Sequence, residues 1–144
     1  MKKDVLISIR GIYGSEDEQD VIELFTTGQY YKRGGCFYIS YEESELTGFE
    51  GSKTTLKVEE ERMVTLRRSG KTSTQLIVEQ GVRHQCHYDT GFGDMLVGVQ
   101  GNRIKSSLTD AGGNLEIRYS LDINTMYSSE NEMYIHIKES VPKQ

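Results

Sequence analysis

The fold class this 144-residue chain predicts is all-β: a single antiparallel up-and-down barrel of about eight to ten strands. Three observations predict it. Apolar and polar residues alternate with period two from end to end, and turn residues recur at close to the about 8–12 residue spacing of sandwiches and barrels. No helical run is long enough to carry a parallel crossover, so consecutive strands must pair antiparallel. Rolling such a meander into a barrel removes its two exposed edges.

Taken in order, the alternation predicts strands at Val5–Tyr13, Asp20–Lys32, Cys36–Glu43, Ser52–Glu59, Arg62–Ser69 and Ser73–Glu79. It continues at Arg83–Asp89, Gly93–Gly101, Arg103–Thr109, Asn114–Asn124 and Glu132–Lys138. Gly34-Gly35, Gly70-Lys71 and Gly112-Gly113 fall between strands, where tight hairpin turns demand positive φ. Ser15-Glu16-Asp17-Glu18 has capping-box spacing, but the run from Val21 through Phe25 to Tyr31 is β-branched and aromatic, so a loop followed by a long strand is expected. One domain over 1–144, with a short disordered tail from about residue 140, suits a chain of this length.

Composition narrows the function classes. A net charge of −5 repels a phosphate backbone, and the basic groups at Arg67, Arg68 and Lys71 and at Arg103 and Lys105 are short, so no nucleic-acid partner is expected. Asp4, Ser8 and Arg10 interrupt the N-terminal apolar run before a signal-peptide core or a span of ~20 residues forms, so no membrane association and a cytoplasmic location are expected. Cys36 and Cys86, fifty positions apart, are then read as reduced thiols.

Strand alternation also assigns faces. Phe37, Ile39, Tyr41 and Glu43 share one side, as do Val64, Leu66 and Arg68, and as do Leu115, Ile117, Tyr119, Leu121 and Ile123. The apolar members mark the interior. Glu43 and Arg68 are therefore charges at the ends of apolar faces, where each needs a partner or an open mouth; they are expected at one barrel end, paired with each other or meeting a ligand. Arginine's forked guanidinium suits a carboxylate or phosphate, and a structural ion pair is the plainer alternative.

His84, Cys86 and Tyr88 share a face, and with Tyr41 and Tyr119 they are candidates for a polar lining of the barrel interior. The plainer alternative is a packed core in which the His and Tyr satisfy one another and the Cys acts as a small hydrophobe. His87 and Asp89 point the other way and His136 is expected outside, so no strand face collects the three or four ligands of a zinc site and no metal is expected. No nucleophile elbow, P-loop or dinucleotide fingerprint appears, and Gly91-Phe92-Gly93 precedes a strand rather than a helix, so no cofactor is implied. Cys36 is expected outward, without the surroundings that activate a thiol. Of the acidic residues Glu42, Glu43, Glu45, Glu59, Glu60 and Glu61, five are turn residues by pattern, so the cluster reads as a solvated rim rather than as paired catalytic carboxylates.

Several motifs carry a resemblance. Tyr41-Glu42-Glu43-Ser44-Glu45-Leu46-Thr47-Gly48, Thr54-Thr55-Leu56-Lys57-Val58 and Val64-Thr65-Leu66-Arg67-Arg68-Ser69-Gly70 resemble the YwiB-like family of uncharacterised bacterial proteins. So do Thr26-Thr27-Gly28, Tyr88-Asp89-Thr90-Gly91-Phe92-Gly93 and Tyr119-Ser120-Leu121-Asp122-Ile123, which together span nearly the whole chain. The resemblance implies a fold similar to the calycins, eight-stranded barrels whose lipocalin and fatty-acid-binding relatives hold small ligands, and it implies no activity. The expected function is binding of a small amphipathic or anionic molecule in the barrel interior without catalysis. Two others stand beside it: a structural or protein-interaction domain filled by its own side chains, and, more weakly, an enzyme using His84 and Tyr88 as an acid–base pair. A monomer is expected, or a weak homodimer through Tyr30, Tyr31 and Tyr134.

Overall fold

The computed structural model of the protein describes residues 2–15, 17–43, 50–70, 73–89, 93–123 and 126–140. Ten strands follow one another: β1 (Lys3–Gly14), β2 (Gln19–Arg33), β3 (Cys36–Glu42), β4 (Lys53–Glu59) and β5 (Met63–Ser69), then β6 (Thr74–Glu79), β7 (Arg83–Asp89), β8 (Asp94–Ser106), β9 (Gly112–Ile123) and β10 (Met126–Glu139). Each pairs antiparallel with its sequence neighbours, and β1 pairs with β10, so the sheet closes into a barrel. Ten strands exceed the eight of the calycin pattern.

Most boundaries shift by one or two residues from the expected ones, and two departures are larger. Gly93–Gly101 and Arg103–Thr109 are a single strand, β8, which a bulge between Gly101 and Arg103 carries through. The extra residue shifts the side-chain alternation by one while the ladder to β9 continues, so periodicity alone reads it as a break. β10 begins at Met126 rather than Glu132, because backbone pairing to β9 recruits the polar residues Ser129 and Glu130 opposite Leu121 and Ser120. Near Ser15, a backbone bond from the Ser15 amide to the Glu18 carbonyl at 2.9 Å closes a turn rather than opening a helix. Residues 141–144, where a disordered tail is expected, and Glu45 of the acidic turn lie outside the described residues.

Strand length divides the barrel. β1, β2, β8, β9 and β10 have 12 to 15 residues, whereas β3 to β7 have 6 or 7. At about 3.3 Å per residue the first group spans roughly 40–50 Å and the second roughly 20 Å, so long coiled strands wrap a short-stranded wall. Inward side chains fill one half of the bore. Val5, Ile39, Leu56, Val58, Val64 and Val99 are at most 1% exposed. Tyr30 belongs to this core rather than to a surface patch: its ring stacks on Phe37 and its hydroxyl donates to the Thr109 carbonyl at 2.7 Å. The aromatic contact surface expected from Tyr30, Tyr31 and Tyr134 therefore does not form, since Tyr31 stacks on Tyr38 across β2–β3 while Tyr134 lies on β10.

Candidate functional site

The other half of the bore is not filled. Where β1, β3, β5, β7 and β9 end and their partners begin, inward side chains surround a cavity of about 250 Å³. Its walls are mainly apolar, from Ile9, Leu24, Leu66, Leu76, Leu121 and Met133, and its polar groups come from strand ends, where alternation still points inward but packing has stopped. Such a volume holds about eight waters at about 30 Å³ each, or one molecule smaller than those filling drug-sized pockets of about 300–1,000 Å³.

Glu43 follows β3, and Arg68 is the penultimate residue of β5. Arg68 Nε lies 3.3 Å from Glu43 Oε2, with the two side chains 11% and 1% exposed. Thr54, opposite Arg68 in the β4–β5 register, donates its hydroxyl to the same Glu43 oxygen and accepts from Arg68 Nε at 3.3 Å. Tyr41, two residues before Glu43 on the same face, lies beside this set, buried and lining the cavity. A carboxylate, a guanidinium and the Thr54 hydroxyl thus form one buried network, in which Glu43 and Arg68 are of opposite charge.

Three more tyrosines face this network. Tyr13 at the end of β1, Tyr88 in β7 and Tyr119 in β9 line the cavity, and among the described residues no hydrogen bond reaches their hydroxyls. Gly11 makes room for one of them: a Cβ there would sit 2.4 Å from the Tyr13 hydroxyl, so the missing side chain lets the ring lie across the β1 backbone. Burial raises the Tyr119 hydroxyl well above the ordinary tyrosine range, with Tyr13 and Tyr88 adding to the shift and Arg68 opposing it. Tyr41 rises for the same first reason, with Glu43 adding and Arg68 opposing. Tyr13 rises too, through burial, against the pull of Arg68. All three are neutral hydrogen-bonding groups at neutral pH rather than bases.

Of the residues the sequence singles out, Tyr41, Glu43, Arg68, Tyr88 and Tyr119 come together here. His84 and Cys86 do not. Cys86 is buried further down β7, where its sulfur accepts the Ile77 amide at 3.4 Å and burial pushes its thiol pKa up. His84 sits at the far end of β7, its Nε2 2.8 Å from Glu79 Oε1. Four residues of strand separate His84 from Tyr88, roughly 13 Å, so the two cannot act as an acid–base pair. The acidic residues are also split, because β4 runs between them: Glu43 is at the cavity, while Glu59 meets Arg62 at 3.0 Å and Glu61 accepts the Ser106 amide at the opposite end. Among the described residues no group of three or more His, Cys, Asp or Glu side chains could hold a metal ion, and no helix is long and apolar enough to cross a membrane.

Sequence reasoning missed Tyr13, Thr54 and Asn131 as cavity or network members. The signal was present for the first two: Tyr13 continues the Val5–Ile7–Ile9 alternation, and Thr54 precedes Leu56 and Val58 on one face. Asn131 likewise precedes Met133, Ile135 and Ile137, but the expected strand began one residue too late.

A family model described as a domain of unknown function, DUF1934, matches residues 7–135. The chain belongs to this family. Among curated proteins it is similar to the uncharacterized beta-barrel protein YwiB of Bacillus subtilis (strain 168), with 27% identity over 119 residues, 83% of this chain and 82% of that one. The crystal structure of the ywiB protein from Bacillus subtilis superposes with a TM-score of 0.85 at 24% identity, over 97% of this chain and 94% of that one. The match supports a YwiB-like family with the closed β-barrel fold.

Proposed function

We propose that the barrel mouth binds one small amphipathic molecule and does not transform it. The observation that carries this reading is the set of hydroxyls on Tyr13, Tyr88 and Tyr119, turned into a cavity of about 250 Å³ without protein partners among the described residues. A buried tyrosine hydroxyl ordinarily finds a partner, and a ligand's polar atoms or ordered water supply it here. The apolar wall accepts the rest of the molecule. Glu43 already answers the charge of Arg68, which favours an uncharged polar head group over an anionic one. An anion would have to displace a carboxylate that is itself held by Thr54.

The calycin comparison belongs to this reading and is supported by a closed antiparallel barrel with an unfilled end. A cytoplasmic setting is supported by the free thiols of Cys36 and Cys86. The alternative, a structural domain with a side-chain-filled bore, is favoured by one observation, the tight packing of the other half around Leu56 and Val64.

Native mass spectrometry of the protein purified from its own host separates the two. A bound mass lost on denaturation, and lost also from Leu76→Trp, which fills the cavity, supports binding at the mouth. Repeatedly empty spectra, together with a rise in melting temperature for Leu76→Trp, would mark the cavity as a packing defect.

A further inference from the structure

Two cross-strand registers set three polar side chains in one row of the mouth. Tyr13 on β1 stands opposite Asn131 on β10, and Asn131 stands opposite Tyr119 on β9. All three line the cavity, with Asn131 3% and Tyr119 7% exposed. Asn131 gives its Nδ2 to Ser129 Oγ at 3.2 Å, which leaves Oδ1 as the acceptor of the row, and among the described residues no donor reaches it. The row therefore offers hydroxyl protons on either side of one carbonyl oxygen. Buried donors and acceptors almost always have partners, so this row suits a molecule that carries the opposite pattern, an acceptor beside a donor.

Heights along the barrel narrow that pattern. The Tyr13 ring lies back along β1, its hydroxyl 2.4 Å from where a Cβ on Gly11 would stand. Gly11 pairs with Met133, two residues on from Asn131, so the hydroxyl sits one inward step deeper than the Asn131 amide. That step is about 6.6 Å along a strand. A hydrogen bond of about 2.8 Å at each end of an amide group, with about 2.3 Å between its own O and N, bends to cover that distance. The Arg68–Glu43 pair then sets the polarity. Glu43, the carboxylate of the mouth, is enclosed by Thr54 and Arg68 with 1% of its side chain exposed, so it is closed to a ligand's donor. Arg68 outweighs Glu43 at Tyr13 and opposes the rise of Tyr119, so the pair presents its positive end to both phenols. A carbonyl dipole answers that potential without adding the net buried charge of a carboxylate.

We infer that the mouth reads a small neutral amide, whose carbonyl oxygen accepts from the Tyr13 and Tyr119 hydroxyls and whose N–H donates to Asn131 Oδ1. The hydrocarbon part lies against Ile9, Leu24, Leu121 and Met133. This rests on the reading of the mouth as a binding site and adds the functional group that the site selects.

The test is protein-observed NMR titration with four ring compounds of one size: benzamide, acetophenone, benzoate and ethylbenzene. Wild type, Tyr13→Phe, Tyr119→Phe and Asn131→Leu are compared. Benzamide should shift the Met133 methyl signal and bind at least about tenfold more tightly than benzoate. Each Tyr→Phe change should weaken benzamide and acetophenone about three- to tenfold, the worth of one neutral hydrogen bond, and leave ethylbenzene within about twofold. Asn131→Leu should weaken benzamide by a similar factor and leave acetophenone within about twofold, because the ketone has no N–H to lose. Tyr→Phe removes hydroxyls that no described residue holds, so both variants should melt like the wild type, which checks folding separately from binding. Equal responses of benzamide and acetophenone to Asn131→Leu would overturn the inference, as would indifference of benzamide to both Tyr→Phe changes, or benzoate binding more tightly than benzamide. Benzamide titrations without any shift overturn the inference alone when protein purified from its host still carries a bound mass in its native spectrum. With empty native spectra they overturn the reading of the mouth as well.

Discussion

Arg68→Met should be among the most damaging single changes at the mouth, and Glu43→Leu added to it should restore most of the loss. The argument starts from burial. Glu43 is 1% exposed and Arg68 11%, at 3.3 Å, so neither charge leans on bulk water. Removing Arg68 takes the buried cation away from a carboxylate that also accepts from the Thr54 hydroxyl, and breaking a buried pair by deleting one partner costs about 3–5 kcal/mol. At this chain length about 1 kcal/mol moves the melting temperature by roughly 3–4 °C, so the single variant should melt about 10–20 °C below the wild type. Replacing both charges with apolar side chains of similar volume is often neutral or stabilising, so the double variant should return to within about 1.5 kcal/mol of the wild type. Urea unfolding of the four proteins, each checked for two-state behaviour, gives the coupling directly. An Arg68→Met variant that melts within about 4 °C of wild type would refute the reasoning, because that is the cost of a hydrated surface pair. Additive losses in the double variant would refute it as well.

Two further outcomes follow from the same core. Burial raises Tyr30, Tyr41, Tyr119 and Tyr13 above the ordinary tyrosine value near pH 10; a group that holds its proton more tightly folded than unfolded contributes stability fully below that pH and loses it as pH climbs toward the folded value. Alkaline titration followed by phenolate absorbance should therefore fall short of all nine tyrosines until a cooperative rise accompanies unfolding, and a smooth titration of all nine near pH 10 with the fold intact would contradict it. Gly28→Ala should cost about 1–3 kcal/mol in urea unfolding, because a Cβ there would lie 2.3 Å from the Ser40 carbonyl oxygen and 2.6 Å from Ile7 Cδ1, and backbone does not yield as a side chain does; an unchanged midpoint would show that β2 and β3 can part.

Fold class was legible because every strand is a half-buried surface, and a half-buried surface writes its period into the chain. Ile39, Leu66 and Ile117 were assigned inward from alternation alone and are buried. The same rule placed Glu43 and Arg68 at one end, since a charge closing an apolar face has few places to go. What alternation does not carry is height along the barrel. His84, Cys86 and Tyr88 share a face but lie at successive levels, one against Glu79, one in the core and one at the cavity, so grouping them by face produced a site that the structure divides. Bulges defeat the method for a related reason: between Gly101 and Arg103 the phase changes while the strand continues.

The composition of the mouth is itself an argument about function. A barrel end needs no buried ion pair to close; apolar residues at positions 43, 54 and 68 would complete the alternation of β3, β4 and β5 and remove the desolvation cost of two charges. Instead the chain keeps a carboxylate, a guanidinium and a threonine hydroxyl in a mutually bonded set, and aims tyrosine hydroxyls from β1, β7 and β9 at the space beside it. Polar groups that break a local packing rule while satisfying one another are what a rigid, preorganised pocket requires, because the network fixes the side chains around the cavity before anything enters. The packed half of the bore obeys the rules throughout, and the departures gather at one end, beside the cavity. That segregation is why the double apolar variant is informative beyond stability: a barrel that becomes as stable or more so without its charges, yet loses the mass bound in the native spectrum, would show that the mouth is polar for the ligand's sake.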